Sequence, residues 1–257
     1  SLEANKGAYS YAWMIIFAVI AAIMVLIGLY HIRMLPSNQI PSTTKKTTSE
    51  VGRELVAVIA NFFTKKHIFY YICFIILYRL AEGFIMKIAP LFLRASREVG
   101  GLGLSLKEIG TLNGVFGSAA FVLGSLLAGI YVSKFGLKRT LFTLCCIFNL
   151  PFVAYTFLAV TQPTNVYLIG TCITMEYFGY GFGFVGLTLF MMQQIAPGKH
   201  QMSHYAFASG IMNLGVMLPG MVSGYFSDLL GYRNFFIYVL IATIPAFLIT
   251  YFIPFTY

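Results

Sequence analysis

Charged residues are scarce in this chain of 257 residues. Only 10% of its residues are Asp, Glu, Lys or Arg, while 59% are hydrophobic and the mean hydropathy is +0.82. An ordinary soluble domain has roughly 25% charged and about 45–50% apolar residues. The composition therefore excludes a typical soluble globular protein and indicates a membrane protein.

The motifs of several protein classes are also missing. HExxH, Gly-x-Gly-Asp and the phosphate-binding loop G-x-x-x-x-G-K-[ST] do not occur, and the four cysteines lie inside apolar runs with no metal-site or disulfide spacing. The last apolar run has no Lys that could hold retinal, and no receptor-type acidic-Arg-Tyr triplet is present. We therefore predict that the chain is not an enzyme and has no catalytic residues, no cofactor and no metal.

Nucleic acid is not a predicted partner, although the net charge is +9. The basic residues lie in short connections without interleaved aromatic side chains, unlike a nucleic-acid surface. Ten of them fall in connections 31–66, 132–139 and 193–203, and five fall in the connections of the opposite side. Because basic residues concentrate on the cytoplasmic side, this ratio predicts an outside N-terminus and a cytoplasmic C-terminus.

Apolar runs of membrane-spanning length dominate the sequence. A helix needs about 20 apolar residues to cross roughly 30 Å of hydrocarbon. Seven such runs lie at 8–30, 67–93, 108–131, 140–160, 166–192, 204–226 and 234–253. The predicted fold class is all-α: a polytopic membrane protein with seven transmembrane helices.

The connection after the first run is polar and contains Pro36 and Pro41, so we predict a solvated linker and a domain boundary there. A helical pattern follows it. The pattern consists of Val51, Leu55, Val58, Ile59 and Phe62. It predicts an amphipathic helix that lies either on the inner membrane surface or packed under the bundle.

A glycine-bounded loop occurs twice. Each copy has glycines seven residues apart and nearby basic residues. The motif residues are Gly129, Lys134, Gly136 and Arg139 in the first copy, and Gly224, Asp228, Gly231 and Arg233 in the second. The copies are three spans apart, as an inverted repeat of three plus three helices predicts. A single copy would also suit an ordinary basic loop.

Small residues cluster in two of the apolar runs, and a capping motif precedes the third run. Ala120, Gly124 and Ala128 stand four apart, and Gly179, Gly181, Gly183 and Gly186 crowd the fifth run. In lipid such residues allow close contact between helices. Ser105 and Glu108 have the spacing of a capping box at the start of the third span.

Charges inside the predicted spans are the candidate functional residues. Arg79, Glu82, Lys87 and Glu176 lie well inside them, and a charge at a span centre costs about 2.5–3.5 kcal/mol. Arg79 and Glu82 share a helix face, Glu176 should lie at a similar depth, and Lys87 can extend towards the outer surface. Arg79 could anchor an anionic group while Glu82 or Glu176 carries a proton. A static Arg79–Glu82 pair is the alternative.

Polar and aromatic residues near these charges extend the predicted substrate and proton pathway. Its further members are Tyr78, Tyr177, Tyr180, Asn113 and Asn213. The tyrosines could stack on sugar rings and the asparagines could bind sugar hydroxyls. Helix packing and hydrogen bonds between helices would account for them equally.

The loop 129–139 resembles the loop signature of the major facilitator superfamily. In that signature an acidic residue and an Arg precede the second glycine, whereas Ser133 and Lys134 stand here, so this copy departs from the pattern. The stretches 196–210, 219–224 and 231–236 are more specific. They are similar to the AmpG-type branch, the muropeptide permease-like transporters of bacteria.

The resemblance implies that the seven spans are the sixth to twelfth helices of a twelve-helix transporter. Residues 1–32 would be the last helix of an N-terminal half, 33–66 the cytoplasmic central loop, and 67–257 the six-helix C-terminal half. Because the chain begins at Ser1 in what looks like a loop, we expect a truncated chain whose missing N-terminal half is a partner.

The implied function is secondary active transport in a bacterial inner membrane. It would be proton-coupled symport, by alternating access, of a small polar or anionic solute such as a muropeptide, peptide or sugar. The expected partners are this solute, protons and the lipid bilayer. The alternative is a non-transporting membrane sensor or scaffold built from half a carrier.

Overall fold

The computed structural model describes residues 2–34 and 47–256. No strand occurs in these two ranges, so the all-α prediction is confirmed. The helices are α1 (Leu2–Met34), α2 (Thr48–Phe63), α3 (Ile68–Tyr78), α4 (Leu80–Arg94), α5 (Leu106–Thr111), α6 (Ser118–Phe135), α7 (Leu137–Asn149), α8 (Phe152–Thr161), α9 (Val166–Phe190), α10 (Gln201–Ala242) and α11 (Ile244–Tyr251). A 3₁₀ turn covers Arg97–Val99, and π-helical turns cover Leu112–Gly117 and Met191–Ile195.

Five stretches of the described chain are long and apolar enough to cross a membrane, which agrees with a polytopic membrane protein. They are Ser10–Met34, Ile68–Arg94, Leu106–Phe135, Leu137–Thr161 and Gln201–Tyr251. The last stretch has 51 residues. It contains a non-helical residue, Gly231, with φ 70° and ψ 160°.

The chain divides into two units, one ending at Val51 and one covering Gly52–Tyr257. In the first unit, the large apolar side chains of α1 from Tyr11 to Met34 are exposed, and the rings of Trp13 and Phe17 stack 5.8 Å apart. The predicted linker, with Pro36 and Pro41, lies outside the described residues.

In the second unit, α9 packs closely against α6 and α7. A Cβ at Gly124 would overlap the carbonyl oxygen of Phe178, and one at Gly181 would overlap that of Phe121. On the other side, a Cβ at Gly179 would overlap the carbonyl oxygen of Ile147. The small residues therefore bring helix backbones together, as their spacing predicts.

The predicted run 67–93 is two helices rather than one. Helix α3 ends at Tyr78 and α4 begins at Leu80, with Arg79 between them at φ −103° and ψ 5°. The backbone N–H of Gly83 donates to the carbonyl oxygen of Arg79 at 3.0 Å. The break places Arg79 at the junction of the two helices, with Glu82 in the first turn of α4.

The predicted amphipathic helix is α2, and part of its predicted apolar face packs against the start of α10, while Leu55 and Ile59 are exposed. Val58 and Phe62 are buried, and the Phe62 ring meets the His204 ring edge-on with 5.7 Å between centres. Beyond the helix, the Lys65 Nζ donates to the carbonyl oxygens of Pro197, at 2.7 Å, and Ile195. Burial lowers the pKa of Lys65 from its ordinary value.

Helix α5 begins with the predicted capping box, which is confirmed. The Ser105 side chain accepts from the backbone N–H of Glu108 at 3.2 Å, and the Glu108 carboxylate accepts from the backbone N–H of Ser105 at 2.8 Å. This helix continues through the π-helical turn 112–117 into α6.

Candidate functional site

Arg79 and Glu82 form a buried two-point ion pair. The Arg79 Nε donates to Glu82 Oε2 at 2.6 Å, and Arg79 Nη2 donates to Glu82 Oε1. Each residue is only 4% exposed, and the Arg79 Cζ lies 5.5 Å from the centre of the Phe184 ring. Both carboxylate oxygens of Glu82 therefore have a cationic donor, and the guanidinium also has an aromatic face beside it.

A cavity of about 130 Å³ lies beside this pair. Its polar lining residues are Glu82, Asn113, Tyr155, Glu176, Tyr177 and Tyr180, and the rest of the wall is apolar. Such a volume corresponds to about four water molecules at roughly 30 Å³ each. The fold thus brings several residues that are far apart in sequence together around one small cavity.

Glu176, on α9, is the second carboxylate of the cavity wall. Among the residues that the structure describes, it has no hydrogen-bond or ion-pair partner. Glu82 and Glu176 are both candidates to pair with the Arg79 guanidinium. In this structure Arg79 is bound to Glu82, and no Lys or Arg of the described residues forms an ion pair with Glu176.

Asn113 is another polar residue of the cavity wall. It lies in the π-helical turn 112–117, and its Oδ1 is buried without a hydrogen-bond partner among the described residues. The same turn is held close to α9, because a Cβ at Gly117 would lie 3.0 Å from the Tyr177 ring. Single π-helical turns inside α-helices are frequent at functional sites.

The aromatic residues separate into two groups. Tyr177 and Tyr180 line the cavity, whereas the hydroxyl of Tyr78 donates to the carbonyl oxygen of Gly183 at 3.0 Å. Tyr78 is therefore engaged in helix packing. Tyr155 is a lining residue that sequence reasoning missed: it stands in a mostly apolar run, and the packing of α8 brings it to the cavity.

Asn213 of the predicted pathway lies elsewhere, and Lys87, which is predicted only to extend towards the outer surface, does not line the cavity either. Asn213 is exposed on α10 and does not line the cavity. Lys87 is exposed on α4, next to Gly220, where a Cβ would lie 3.3 Å from the Lys87 Cγ. No group of three His, Cys, Asp or Glu residues within the described ranges could hold a metal ion.

The two copies of the loop motif share an unusual backbone. Gly136 has φ 80° and ψ 147°, and Gly231 has φ 70° and ψ 160°. Side chains with a Cβ rarely adopt this conformation, which explains the second glycine of each copy. The motif's charged residues are all exposed, and they are Lys134, Arg139, Asp228 and Arg233. The Lys134 Nζ lies 5.7 Å from the centre of the Phe135 ring.

Similarity to known proteins points to bacterial permeases. No protein-family model matches the chain. The anhydromuropeptide permease of Escherichia coli strain K12 is 23% identical over 209 residues, which cover 81% of this chain and 41% of that protein. A transporter named AmpG 1 in Rickettsia bellii is 25% identical over 238 residues, covering 91% of this chain and 56% of the relative.

A transporter named AmpG 2 in Rickettsia prowazekii is 27% identical over 199 residues, covering 76% of this chain and 46% of the relative. The chain thus spans about half the length of the curated relatives it matches. Its resemblance to the AmpG-type transporters is confirmed. The names of these bacterial relatives also agree with a membrane permease and with the prediction that the chain is not an enzyme.

Proposed function

We propose that the chain forms the C-terminal portion of an AmpG-type permease of a bacterial inner membrane. It would move a muropeptide-class solute by proton-coupled symport and alternating access, together with an N-terminal half. The name of the Escherichia coli relative supports the solute class, and the greater length of the relatives supports a second half. The observation that carries the mechanism is the different state of two carboxylates around one cavity: Glu82 is paired and Glu176 is not.

We further propose seven membrane spans arranged as one helix and an inverted repeat of three plus three. Two observations support a count above five. Helix α9 has 25 residues, enough to cross a bilayer. The 51-residue stretch Gln201–Tyr251 is broken at Gly231, which would divide it into two spans. The shared backbone of Gly136 and Gly231 supports the repeat.

In this mechanism Arg79 exchanges anions. The guanidinium is bound to Glu82 when no substrate is present, and an anionic group of the solute takes the place of Glu82 when it binds. The exchange leaves Arg79 with a negative partner throughout, and the Glu82 carboxylate that it releases must then be protonated or hydrated, because an unpaired charge in the membrane is costly. Because the cavity holds only about 130 Å³, we expect it to receive a charged end of the solute rather than the whole molecule.

Glu176 carries the coupling proton in the same mechanism. An unpaired carboxylate in a span is costly when charged, and protonation removes that cost. Glu82 is less suited to this step because both of its oxygens accept hydrogen bonds from Arg79. Proton binding at Glu176 and anion binding at Arg79 would then occur within one cavity, which links the two events.

The test is uptake by the full-length protein in proteoliposomes. Glu176→Gln should abolish muropeptide uptake driven by a pH gradient but leave exchange of labelled for unlabelled solute near the wild-type rate. Glu98→Gln is the matched control, since Glu98 is an exposed glutamate of the 3₁₀ turn 97–99 and should change neither activity. Gradient-driven uptake that survives Glu176→Gln would contradict the proton role.

The alternative, a non-transporting sensor or scaffold, has a separate signature. The wild-type protein would then bind a muropeptide without moving it into the vesicle interior. Neither uptake nor exchange would be measured in that case.

A further inference from the structure

We propose that Asn113 is a positioning residue for the proton on Glu176: its Oδ1 accepts a hydrogen bond from the carboxyl O–H when Glu176 is protonated. This inference rests on the proposed proton role of Glu176. It assigns to Asn113 a specific partner and a specific protonation state.

The first argument is the unpaired acceptor. The Oδ1 of Asn113 is buried and has no donor among the described residues. A buried polar atom without a hydrogen bond costs about 1–3 kcal/mol, so its presence in a membrane span requires an explanation. The atom belongs to a residue that lines the same cavity as Glu176.

The second argument is which group can become the donor. An ionised carboxylate only accepts hydrogen bonds, whereas a protonated carboxyl group has one O–H to donate. Among the described residues, Glu176 is the carboxylate of this cavity that has no hydrogen-bond or ion-pair partner, whereas Glu82 is bound by Arg79. Protonation of Glu176 therefore supplies the donor that Asn113 lacks, and a proton leaving Glu176 restores the unpaired state.

The third argument is the backbone around Asn113. The π-helical turn 112–117 interrupts the helix formed by α5 and α6. Its end is fixed against α9 through the contact between Gly117 and Tyr177, one residue beyond Glu176. The turn thus holds the asparagine and the glutamate on two elements that are locked together.

The described residues that line the cavity with Glu176 supply no uncompensated positive charge that would stabilise its ionised form. Arg79, at the junction of α3 and α4, and Glu82, in the first turn of α4, have charges that cancel within their ion pair. The other titratable residues of the described cavity lining are neutral near pH 7. These are Tyr155 of α8 and Tyr177 and Tyr180 of α9. With Glu176 protonated, the cavity wall has no net charge, and the hydrogen bond to Asn113 adds to the preference for the protonated form.

The experiment is an infrared pH titration of the carboxylic-acid C=O band of the full-length protein in detergent or lipid. Glu176→Gln identifies the band by removing it. Asn113→Leu should lower the pH midpoint of the band by about one unit, because an acceptor for the protonated form is lost. Asn113→Asp is close to isosteric and should raise the pH at which the first proton binds, because two adjacent carboxyl groups share it.

Opposite shifts in the two variants support the proposal, since a merely structural asparagine would not produce them. A midpoint that stays unchanged in both variants, or that moves in the same direction in both, overturns it. If Asn113→Leu does not fold, Asn113→Asp decides alone: a raised midpoint supports the proposal and an unchanged one overturns it. A wild-type spectrum without any titrating band assigned to Glu176 instead contradicts the proposed function itself.

Discussion

A buried ion pair between residues three apart is the central feature at the scale of single side chains. Arg79 and Glu82 are each 4% exposed and joined by two hydrogen bonds. A buried ion pair adds little net stability, because both charges must be desolvated, whereas an equivalent apolar pair needs no desolvation. We therefore attribute the ion pair to a functional role rather than to stabilisation of the fold.

This view predicts a non-additive result for stability. Glu82→Leu should lower the free energy of unfolding by about 3–5 kcal/mol, because it leaves Arg79 buried without a counter-charge. The double variant Arg79→Met with Glu82→Leu should recover most of that loss. Denaturant unfolding in detergent measures both, and Lys87→Met, an exposed charge of the same helix, should change stability by less than about 0.5 kcal/mol. Equal losses in the single and double variants would contradict the prediction.

Part of the site could be predicted from the sequence at this scale. Charges in an apolar run are visible in any sequence, and the spacing of Arg79 and Glu82 indicated their shared face. The sequence does not show that Arg79 pairs with Glu82 rather than with Glu176. The depth and rotation of α9 in the folded protein set which carboxylate reaches the guanidinium. Tyr155 had no sequence signal, since an aromatic residue in an apolar run is normally a packing residue.

At the scale of secondary-structure elements, the main feature of the structure is the close contact between helices. Helices α6 and α9 approach until glycines on each side face the partner's backbone carbonyl groups, as at Gly124 and Gly181. The cavity depends on this approach because Asn113 reaches it from the turn before α6, while Glu176 reaches it from α9.

Adding one methyl group should therefore have opposite effects at two helical glycines. Gly181→Ala should destabilise the protein by about 1–3 kcal/mol, because the new Cβ overlaps the Phe121 carbonyl oxygen. Gly210→Ala meets no atom within 4 Å and should leave stability unchanged or raise it by up to about 1 kcal/mol. Thermal unfolding of both variants in the same detergent provides the comparison. A neutral Gly181→Ala would refute the close approach of α6 and α9.

The interruptions of the helices were less predictable than the helices themselves. Hydropathy indicates continuous runs, yet the structure breaks one at Arg79 and inserts π-helical turns at 112–117 and 191–195. These irregularities depend on tertiary contacts rather than on local propensity. The break at Gly231 is an exception, because the repeated glycine motif marks it in the sequence.

The proposed repeat makes a prediction for the whole molecule. With three spans between the two loop motifs, position 138 should face the cytoplasm and position 234 the outside. In intact cells an impermeant maleimide should label Asn234→Cys but not Lys138→Cys, and permeabilisation should expose the second site. Both wild-type residues are exposed, and the unmodified chain with its four cysteines gives the background. Labelling of both variants in intact cells would exclude the inverted arrangement.

The hydrogen bonds of Lys65 link the residues that follow α2 to the turn that ends α9. Helix α9 carries Glu176 in its middle, and the turn that ends it offers the Ile195 carbonyl oxygen to Lys65 just after α2. At 1.5 Å per residue, roughly 28 Å of helix separates the two points, so each degree of tilt would move the far end by roughly half an ångström. A tilt of α9 about Glu176 would therefore displace the carbonyl oxygen that Lys65 binds, and with it the residues that follow α2.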